Sequence, residues 1–571
     1  MVCRTEHPKP QFERKDWMNL NGEWQFAFDY GNSGVARKMY EDTAEFTHVI
    51  QVPFCMESDL SGIGHKDFVE SVWYRRSVEL TKEQLEGRIV LHFGAVDYFT
   101  TVYVNGVECG THKGGYVSFS FDITEYVLEG KNIITVHVQD NSRDYLIPSG
   151  KQSMEYASKG CFYTRTTGIW QTVWLEFTPK TYIKNVKYYT DVQNQTLCIH
   201  AELEGRGRFT AQAFYEGKLM GEATGYAEGN QLLTTISLKE KHLWEIGKGR
   251  LYDLILQYEE DVVKSYFGLR SIEYADYKFL LNGKSVFQRL ILDQGFYPDG
   301  IYTAPTEEAL IKDIDLSMDM GFNGARLHEK IFEERYLYHC DRKGYLVWGE
   351  FPDWGLDMSN PEVIYSILPE LSEEIKRDFN HPSIVGWCPL NEVWTKNGKD
   401  PSKEVIATVY KMTKSLDDTR PCIDASGGYH VETDIYDVHD YQQNPEAFQE
   451  FFGDFSKDFT IKSPGIYSDK QVAYDKKAPF FVSEYGGIRW TNEESGWGYG
   501  NAPSTKEEFL ERLKGLTDVL LDNEKMFGFC YTQLTDVEQE QNGLYTYYRE
   551  PKFETEEIRR IISRKAAIEQ E

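Results

Sequence analysis

From about Ala275 to the C-terminus, short apolar runs alternate with longer amphipathic stretches of helical length. The runs resemble the buried strands of a parallel sheet, and each precedes a helical stretch or the next run. A chain that repeats strand and helix in this way predicts an eight-stranded β/α (TIM) barrel. Its strands are expected at 286–292, 324–327, 346–349, 384–390, 421–424, 435–439, 480–483 and 526–532, with about seven helices between and after them.

The part of the chain before this barrel has a different pattern. Residues 1–178 contain many short alternating runs separated by turn signals such as Asn105-Gly106, which predicts a β jelly-roll sandwich. Residues 179–274 contain fewer such runs, and their length fits an immunoglobulin-like β-sandwich. The predicted order is therefore a jelly roll at 1–178, an immunoglobulin-like domain at 179–274 and a barrel at 275–571.

Charge and cysteine content narrow the range of partners and compartments. The formal net charge is −29, which argues against nucleic acid or an anionic membrane as a partner. No run approaches the ~18 apolar residues of a membrane span. The 9 cysteines are scattered without metal-ligand spacing, and residues 1–10 lack the apolar core of a signal peptide. We therefore expect a cytoplasmic location and no metal site.

Two glutamates stand directly after apolar runs of the predicted barrel. Glu392 follows Pro389-Leu390-Asn391, and Glu484 follows Phe480-Phe481-Val482-Ser483. On the strand count, they end strands 4 and 7, and both lie at the carboxyl-end rim where barrel enzymes keep their catalytic groups. Two carboxylates that face one cleft are the catalytic groups typical of a glycosidase. The residues alone do not order the two roles.

Several further motifs lie along the chain. They include Leu20-Asn-Gly-Glu-Trp24, Thr167-Gly-Ile-Trp170, Tyr266-Phe-Gly-Leu-Arg270, Gly321-Phe-Asn-Gly-Ala-Arg326 and Asn391-Glu392. Together they resemble the motifs of glycoside hydrolase family 2, which contains β-galactosidases, β-glucuronidases and β-mannosidases. The resemblance runs nearly end to end and implies the same three domains in the same order. It also implies retention of anomeric configuration and no organic cofactor.

The resemblance assigns Glu392 as acid/base and Glu484 as nucleophile. It also implies that Asn391 binds the sugar 2-hydroxyl and that Arg326 keeps the nucleophile ionised and oriented. The acid must hold its proton near neutral pH, so we expect its surroundings, including the ionised nucleophile, to raise its pKa.

Other polar and aromatic residues follow the predicted strands and are expected at the rim of the cleft. By resemblance, Tyr441 bonds the nucleophile, and the rest are candidates to bind sugar hydroxyls or stack on the sugar. They are Asp293, His328, His439, Asp440, Trp490, Trp497 and Gln533.

Two departures from the family pattern concern the end of strand 8. Many members carry a Trp where this chain has Cys530-Tyr531-Thr532, so Gln533 or Asp536 is expected to take over part of that wall. The Asn-x-Lys element by which β-glucuronidases bind a uronic carboxylate is replaced by Asn542-Gly-Leu544, although Arg549 or Lys552 could substitute.

The resemblance implies a retaining exo-β-glycosidase. The missing Lys, together with the frequency of β-galactosidases in the family, favours terminal β-galactosides as the substrate. β-Glucuronidase, β-mannosidase and arabinosidase activities stay open within the family. A carbohydrate-binding protein without catalysis is the alternative from another class. The resemblance is compatible with a homo-oligomer.

Overall fold

The computed structural model of the chain describes residues 3–464, 471–491 and 496–569. Within these ranges, three large hydrophobic cores follow the chain in order, the first two inside β-sandwiches and the third inside a β/α barrel. A fourth, small cluster belongs to the first region. Among the helices so described, none is long and apolar enough to cross a bilayer.

The first region is a sandwich of antiparallel sheets. A six-stranded sheet has the order β3-β2-β4-β10-β7-β8, and a four-stranded sheet has the order β1-β12-β5-β9. In β5 every second residue is buried, because its apolar side chains enter the core between the sheets. Asn105 and Gly106 have φ of 52° and 79° and form the predicted tight turn between β7 and β8. The strands are β1 (Trp17–Asn19), β2 (Gly22–Phe28), β3 (His48–Val52), β4 (Ser71–Leu80), β5 (Arg88–Phe93), β6 (Val96–Asp97), β7 (Phe99–Val104), β8 (Val107–Lys113), β9 (Phe119–Asp122), β10 (Gly130–Gln139), β11 (Gly168–Ile169) and β12 (Val173–Thr178).

The second region is a smaller two-sheet sandwich, as predicted. Its sheets have the orders β13-β14-β17 and β16-β15-β18-β19, and the alternating residues of β14 fill the space between them. The strands are β13 (Tyr182–Asp191), β14 (Thr196–Glu204), β15 (Gly207–Tyr215), β16 (Lys218–Ala227), β17 (Gln231–Ser237), β18 (Tyr252–Tyr258) and β19 (Asp261–Phe267).

A small antiparallel sheet that the sequence pattern did not predict leads into the barrel. It consists of β20 (Ile272–Ala275), β21 (Lys278–Leu281) and β22 (Lys284–Ser285). Tyr274 packs on Phe527 with ring centroids 5.2 Å apart, and its hydroxyl accepts a hydrogen bond from Gln288. The small sheet therefore covers the end of the barrel opposite to the two glutamates.

The third region is the predicted β/α barrel. In the described ranges, seven parallel strands have the order β26-β25-β24-β23-β29-β28-β27. They are β23 (Gln288–Asp293), β24 (Gly324–Leu327), β25 (Leu346–Glu350), β26 (Ile384–Cys388), β27 (Tyr436–Asp440), β28 (Phe480–Gly486) and β29 (Met526–Thr532). The helices are α1 (Glu307–Asp319), α2 (Glu334–Lys343), α3 (Ile364–Asp378), α4 (Lys403–Leu416), α5 (Pro445–Phe452), α6 (Phe455–Asp458), α7 (Lys506–Leu521) and α8 (Thr555–Ile562).

The fifth predicted strand, at 421–424, does not form a full strand. It pairs with its neighbour through isolated parallel bridges, Trp387 with Cys422 and Asn391 with Ser426. β26 also ends earlier than predicted, at Cys388, because Pro389 has no N–H to donate to the sheet. As a result Glu392 lies in the connection after β26 and not at its end, whereas Glu484 lies inside β28.

One long segment of the first region, residues 141–166, lies over the mouth of the barrel. The backbone N–H of Ser149 donates to the carbonyl of Trp354 at 2.8 Å, and the Trp497 indole donates to the carbonyl of Gly160 at 2.7 Å. We call residues 141–166 the docking loop. It forms one side of the cleft that contains the two glutamates.

Candidate active site

Glu484 is held in place from three sides. Its Oε1 accepts a hydrogen bond from Nη1 of Arg326 at 3.1 Å, and its Oε2 accepts one from the hydroxyl of Tyr441. Nδ1 of His439 lies 3.4 Å from Oε2. The carboxylate is buried, so these donors replace the water that would otherwise solvate its charge.

Arg326 is fully buried at the centre of this network. Besides Glu484, its guanidinium pairs with Glu350, with Nε 2.5 Å from Oε1, and donates from Nη2 to Oδ1 of Asn391 at 3.1 Å. Nη1 also donates to the backbone carbonyl of Ser483 at 2.9 Å. Because the planar guanidinium is fixed at every nitrogen, it orients Glu484 and Asn391 together.

Glu392 lies at the edge of the cleft with its side chain 38% exposed. Its φ of +46° is in the left-handed region, and its N–H donates to the carbonyl of Ser426 at 2.8 Å. Oε1 lies 2.6 Å from Nδ1 of His439. The backbone therefore directs this carboxylate toward His439 and the neighbouring Glu484.

The two carboxylates and the imidazole between them approach one another closely. One ligand atom each of Glu392, His439 and Glu484 lies within 4.8 Å of the other two. In the part of the chain described, this is also the one trio that could hold a metal ion. Arg326 contacts Glu484, and His439 contacts both carboxylates of the trio. The expectation that no metal is required stays a prediction.

The pKa of Glu392 departs from the sequence-based expectation. Burial raises it, but the hydrogen bond and charge of His439 outweigh burial and lower the pKa of Glu392 to about 2. Burial lowers the pKa of His439, while the charges of Glu484 and Glu392 raise it above the ordinary histidine value. The shared proton therefore lies on His439, and the raised pKa expected for the acid is wrong in this structure.

Asn391 presents an amide toward the cleft. Its backbone N–H donates to Asp353 at 2.7 Å, and its Oδ1 accepts a hydrogen bond from Arg326. Its Nδ2 is buried, and no described residue accepts a hydrogen bond from it. A buried donor without a partner is rare, so Nδ2 is available to a ligand hydroxyl.

Three further predicted residues also lie in the cleft. They are Tyr441, His439 and His328, whose Nδ1 is 3.0 Å from Glu350 and 3.9 Å from Glu484. Burial lowers the pKa of His328 well below the usual range, so its imidazole is neutral there.

The side chains of four predicted residues are engaged by other residues of the protein. Asp293 accepts from Gly295 and Tyr336, and Asp440 accepts from Gln442 and Ser463. Trp490 packs on Phe509 and Phe553, and Gln533 bonds Gln294 and Asn542. The strand ends place them at the rim, but each side chain finds a partner in the protein.

The docking loop and neighbouring connections supply residues that sequence reasoning missed. Tyr163 donates to Glu540, and the ammonium of Lys151 lies 3.5 Å from the ring centroid of Trp354. Tyr499 stacks on Tyr441 with centroids 3.4 Å apart. Glu350, at the end of β25, could have been found from its strand-end position. Lys151 and Tyr163 could not, because no local pattern connects a loop of the first region with the barrel.

Two family models and several known relatives match this chain. Residues 17–179 match the sugar-binding domain of glycosyl hydrolases family 2, and residues 272–492 match the TIM barrel domain of the same family. The chain is 25% identical to a β-glucuronidase of Sus scrofa over 95% of its own length and 89% of the relative's. It is 24% identical to one of Streptococcus agalactiae, with 95% of each chain covered.

Two solved structures have the same fold. A β-glucuronidase of an uncultured Clostridium sp. superposes with a TM-score of 0.78 at 22% identity, and 98% of this chain and 100% of that chain are covered. A β-glucuronidase of Ruminococcus gnavus in complex with D-glucuronic acid superposes with a TM-score of 0.78 at 19% identity, covering 96% and 98%.

Proposed function

The chain belongs to glycosyl hydrolase family 2, and on this basis we propose that it is a retaining exo-β-glycosidase whose substrate is a terminal β-D-glucuronide. Glu484 is the proposed nucleophile and Glu392 the proposed acid/base. The β-glycosidase class follows from the family and its relatives. The stereochemistry, the residue roles and the sugar are the proposal.

The observation that carries the retaining mechanism is the separation of the two carboxylates. Oxygens of Glu392 and Glu484 lie within 4.8 Å of each other. Retaining enzymes keep their carboxyl groups about 5–5.5 Å apart, whereas inverting enzymes need about 6.5–9.5 Å to admit a water. The short separation supports direct attack on the sugar by one of the pair.

In the first step, Glu484 attacks the anomeric carbon, and the bond to the leaving-group oxygen breaks. Arg326 and Tyr441 hold the attacking carboxylate in one orientation. The leaving oxygen takes the proton shared by Glu392 and His439. Nδ2 of Asn391 is placed to bind the sugar 2-hydroxyl, a contact that strengthens in the transition state.

In the second step, water releases the sugar from Glu484. The pair of Glu392 and His439 has lost its proton and now accepts one from the attacking water. Glu484 carries no charge while it is esterified, so the positive charge of His439 is no longer favoured until the ester is cleaved. Each cycle therefore returns the proton to the pair and the charge to Glu484.

The proposed sugar, a β-glucuronide, differs from the β-galactoside favoured by the sequence. The named relatives are β-glucuronidases. Both substitutes expected for the missing lysine are already paired, Arg549 with Asp313 at 3.0 Å and Lys552 with Asp536 at 2.5 Å. Lys151 of the docking loop is a buried cation that forms no ion pair with the described residues. It supports binding of an anionic sugar.

A neutral sugar is the second candidate, and one observation favours it. Glu540 lies buried after β29, close enough to Glu484 for their charges to interact, and it is bonded by Asn542 at 3.1 Å. A third carboxylate would repel a uronic acid unless it is protonated or balanced by Lys151. Burial raises the pKa of Glu540, which favours its protonated form.

The test is hydrolysis of p-nitrophenyl β-glycosides by the protein and by Glu392→Ala, Glu392→Gln and Glu484→Gln variants. We expect turnover of the β-glucuronide, a loss of ~10²-fold or more in the Glu392 variants and no turnover in Glu484→Gln. Azide should rescue Glu392→Ala and give the β-glycosyl azide, because it attacks the covalent intermediate from the open face. An α product, or turnover of a neutral glycoside alone, would contradict the mechanism or the sugar, respectively.

A further inference from the structure

A cavity of about 550 Å³ opens beside Glu392, between the docking loop and the barrel. Its wall includes Met154, Cys161 and Phe162 of the docking loop and Trp354 and Trp394 of the barrel. Glu392 also lines it, while Glu484, Asn391 and Tyr441 do not. The cavity therefore lies on the side of the acid/base and away from the nucleophile.

The position of Glu392 decides which part of a substrate faces this cavity. A general acid lies within hydrogen-bond reach of the oxygen it protonates, and in a glycoside this oxygen joins the sugar to its leaving group. The sugar ring must contact Glu484 on the other side of that bond. A cavity that shares Glu392 alone is thus placed for the leaving group.

The walls are rich in aromatic rings. Phe162 and Trp354 have ring centroids 5.2 Å apart, and the Trp354 indole donates to the backbone carbonyl of Asn391 at 3.0 Å. Trp394 is 42% exposed and stacks on Tyr145 of the docking loop with an interplanar angle of 11°. An exposed tryptophan held flat by a second ring offers its other face to a planar ligand.

We propose that this cavity is a leaving-group subsite, shared by the docking loop and the barrel, that selects planar aromatic aglycones. The inference rests on the proposed role of Glu392 as general acid. It adds a substrate class to that function: β-glycosides of aromatic alcohols. The polar rim formed by Glu155 and Lys159, whose charged atoms lie 3.3 Å apart, leaves room for hydroxyl groups on such an aglycone.

The test compares two substrates with the same sugar. Methylumbelliferyl β-D-glucuronide fills the subsite, whereas β-D-glucuronyl fluoride has a single fluorine atom as leaving group and needs no acid. Trp394→Ala and Phe162→Ala should each lower kcat/KM roughly 10-fold on the first substrate and leave the second unchanged. The control is Tyr156→Ala, an exposed aromatic residue of the same loop that does not line the cavity.

Equal losses on both substrates would overturn the proposal, because they would indicate a structural role of the two rings. No loss on the aromatic substrate would overturn it as well. If the unmodified protein hydrolyses neither glucuronide, the proposed sugar is wrong. Calorimetric titration with methylumbelliferone then tests the leaving-group subsite independently of the sugar. Binding weakened about 10-fold by Trp394→Ala would support it, and unchanged binding would refute it.

Discussion

The imidazole of His439 lies between the two carboxylates and couples their charges. It is 2.6 Å from Glu392 and 3.4 Å from Glu484, and its Nε2 is 3.0 Å from the hydroxyl of Ser426, which donates to Asp437 at 2.6 Å. A protonated imidazole satisfies all of these contacts at once. This residue was predicted only as a rim histidine, and its proposed role as a proton store rests on these three distances.

The pH dependence should report this shared proton. The pKa of His439 is raised, so the pair keeps its proton to a pH above the ordinary histidine value and loses it as the pH rises further. We expect kcat/KM for an aryl glucuronide to fall on that alkaline side. The fluoride substrate should lack this decrease, since fluoride leaves without a proton. If kcat/KM decreased for both substrates, a titrating group other than this pair would be the cause.

The charge of Lys151 gives a second prediction about a single side chain. Burial lowers its pKa, but the charges of nearby acidic groups, Glu329 and Glu540 among them, raise it above the ordinary lysine value, so it stays charged. Lys151→Met should lower kcat/KM about 30-fold or more on a β-glucuronide, because a buried carboxylate loses its partner. A β-glucoside, which lacks that carboxylate, should be hardly affected.

The control for Lys151 is Lys131→Met, on β10 of the same region, whose side chain is exposed. This control should leave kcat/KM unchanged for both substrates. A loss in Lys151→Met that is equal for both substrates would show that Lys151 does not recognise the carboxylate. Lys151→Arg should restore part of the preference, since the charge is retained.

The elements of the barrel followed the predicted order, with differences at the ends of strands. Seven of the eight apolar runs formed strands, because a strand buried on both faces needs a continuous apolar run. Pro389 shortened β26, and the fifth run formed bridges only. The helices α5 and α6 were not predicted, because they are short and their apolar residues are packed by neighbours and not by a long periodic face.

The segment in place of the fifth strand positions both Glu392 and His439. Gly427 has φ of +88°, and a Cβ there would lie 2.6 Å from Nδ1 of His439 and 3.0 Å from Cγ of Glu392. Gly427→Ala should therefore displace the pair and lower kcat ~10²-fold, as a misplacement of about 1 Å can. Steady-state kinetics with the aryl glucuronide measures this effect.

Gly217→Ala is the matched control, since Gly217 has φ of +75° with nothing within 4 Å of the added Cβ. It should cost a similar backbone strain, about 1–3 kcal/mol, without any change in kcat. If both variants lost the same activity, strain and not displacement would be the cause.

In the whole molecule, buried ion pairs join the two sandwiches. Arg14 pairs with Asp261 of the second region at 2.8 Å and with Glu176 of the first at 3.0 Å, and it donates to the carbonyl of Ile183 at 2.6 Å. Arg4 pairs with Glu333 of the barrel at 2.6 Å. These contacts tie the N-terminal segment to all three regions.

Arg14→Met should lower the free energy of unfolding by about 3–5 kcal/mol, because two carboxylates stay buried without a cation. Urea unfolding followed by fluorescence measures the change. The control Arg560→Met removes an exposed pair with Glu556 on one helix and should cost less than about 1 kcal/mol. Equal costs for the two variants would contradict a buried linkage.

The sequence by itself determined the order of the three β and β/α regions and singled out the pair of glutamates. Both are local signals, since alternation along a strand and a carboxylate after an apolar run are read within a few residues. Only the tertiary structure decided that Lys151, Tyr163 and Phe162 of the docking loop meet the barrel and that Asp293 and Trp490 are engaged by other residues of the protein. The reason is physical. These placements depend on how one domain packs on another and on which hydrogen-bond partners each buried polar group meets in the folded protein.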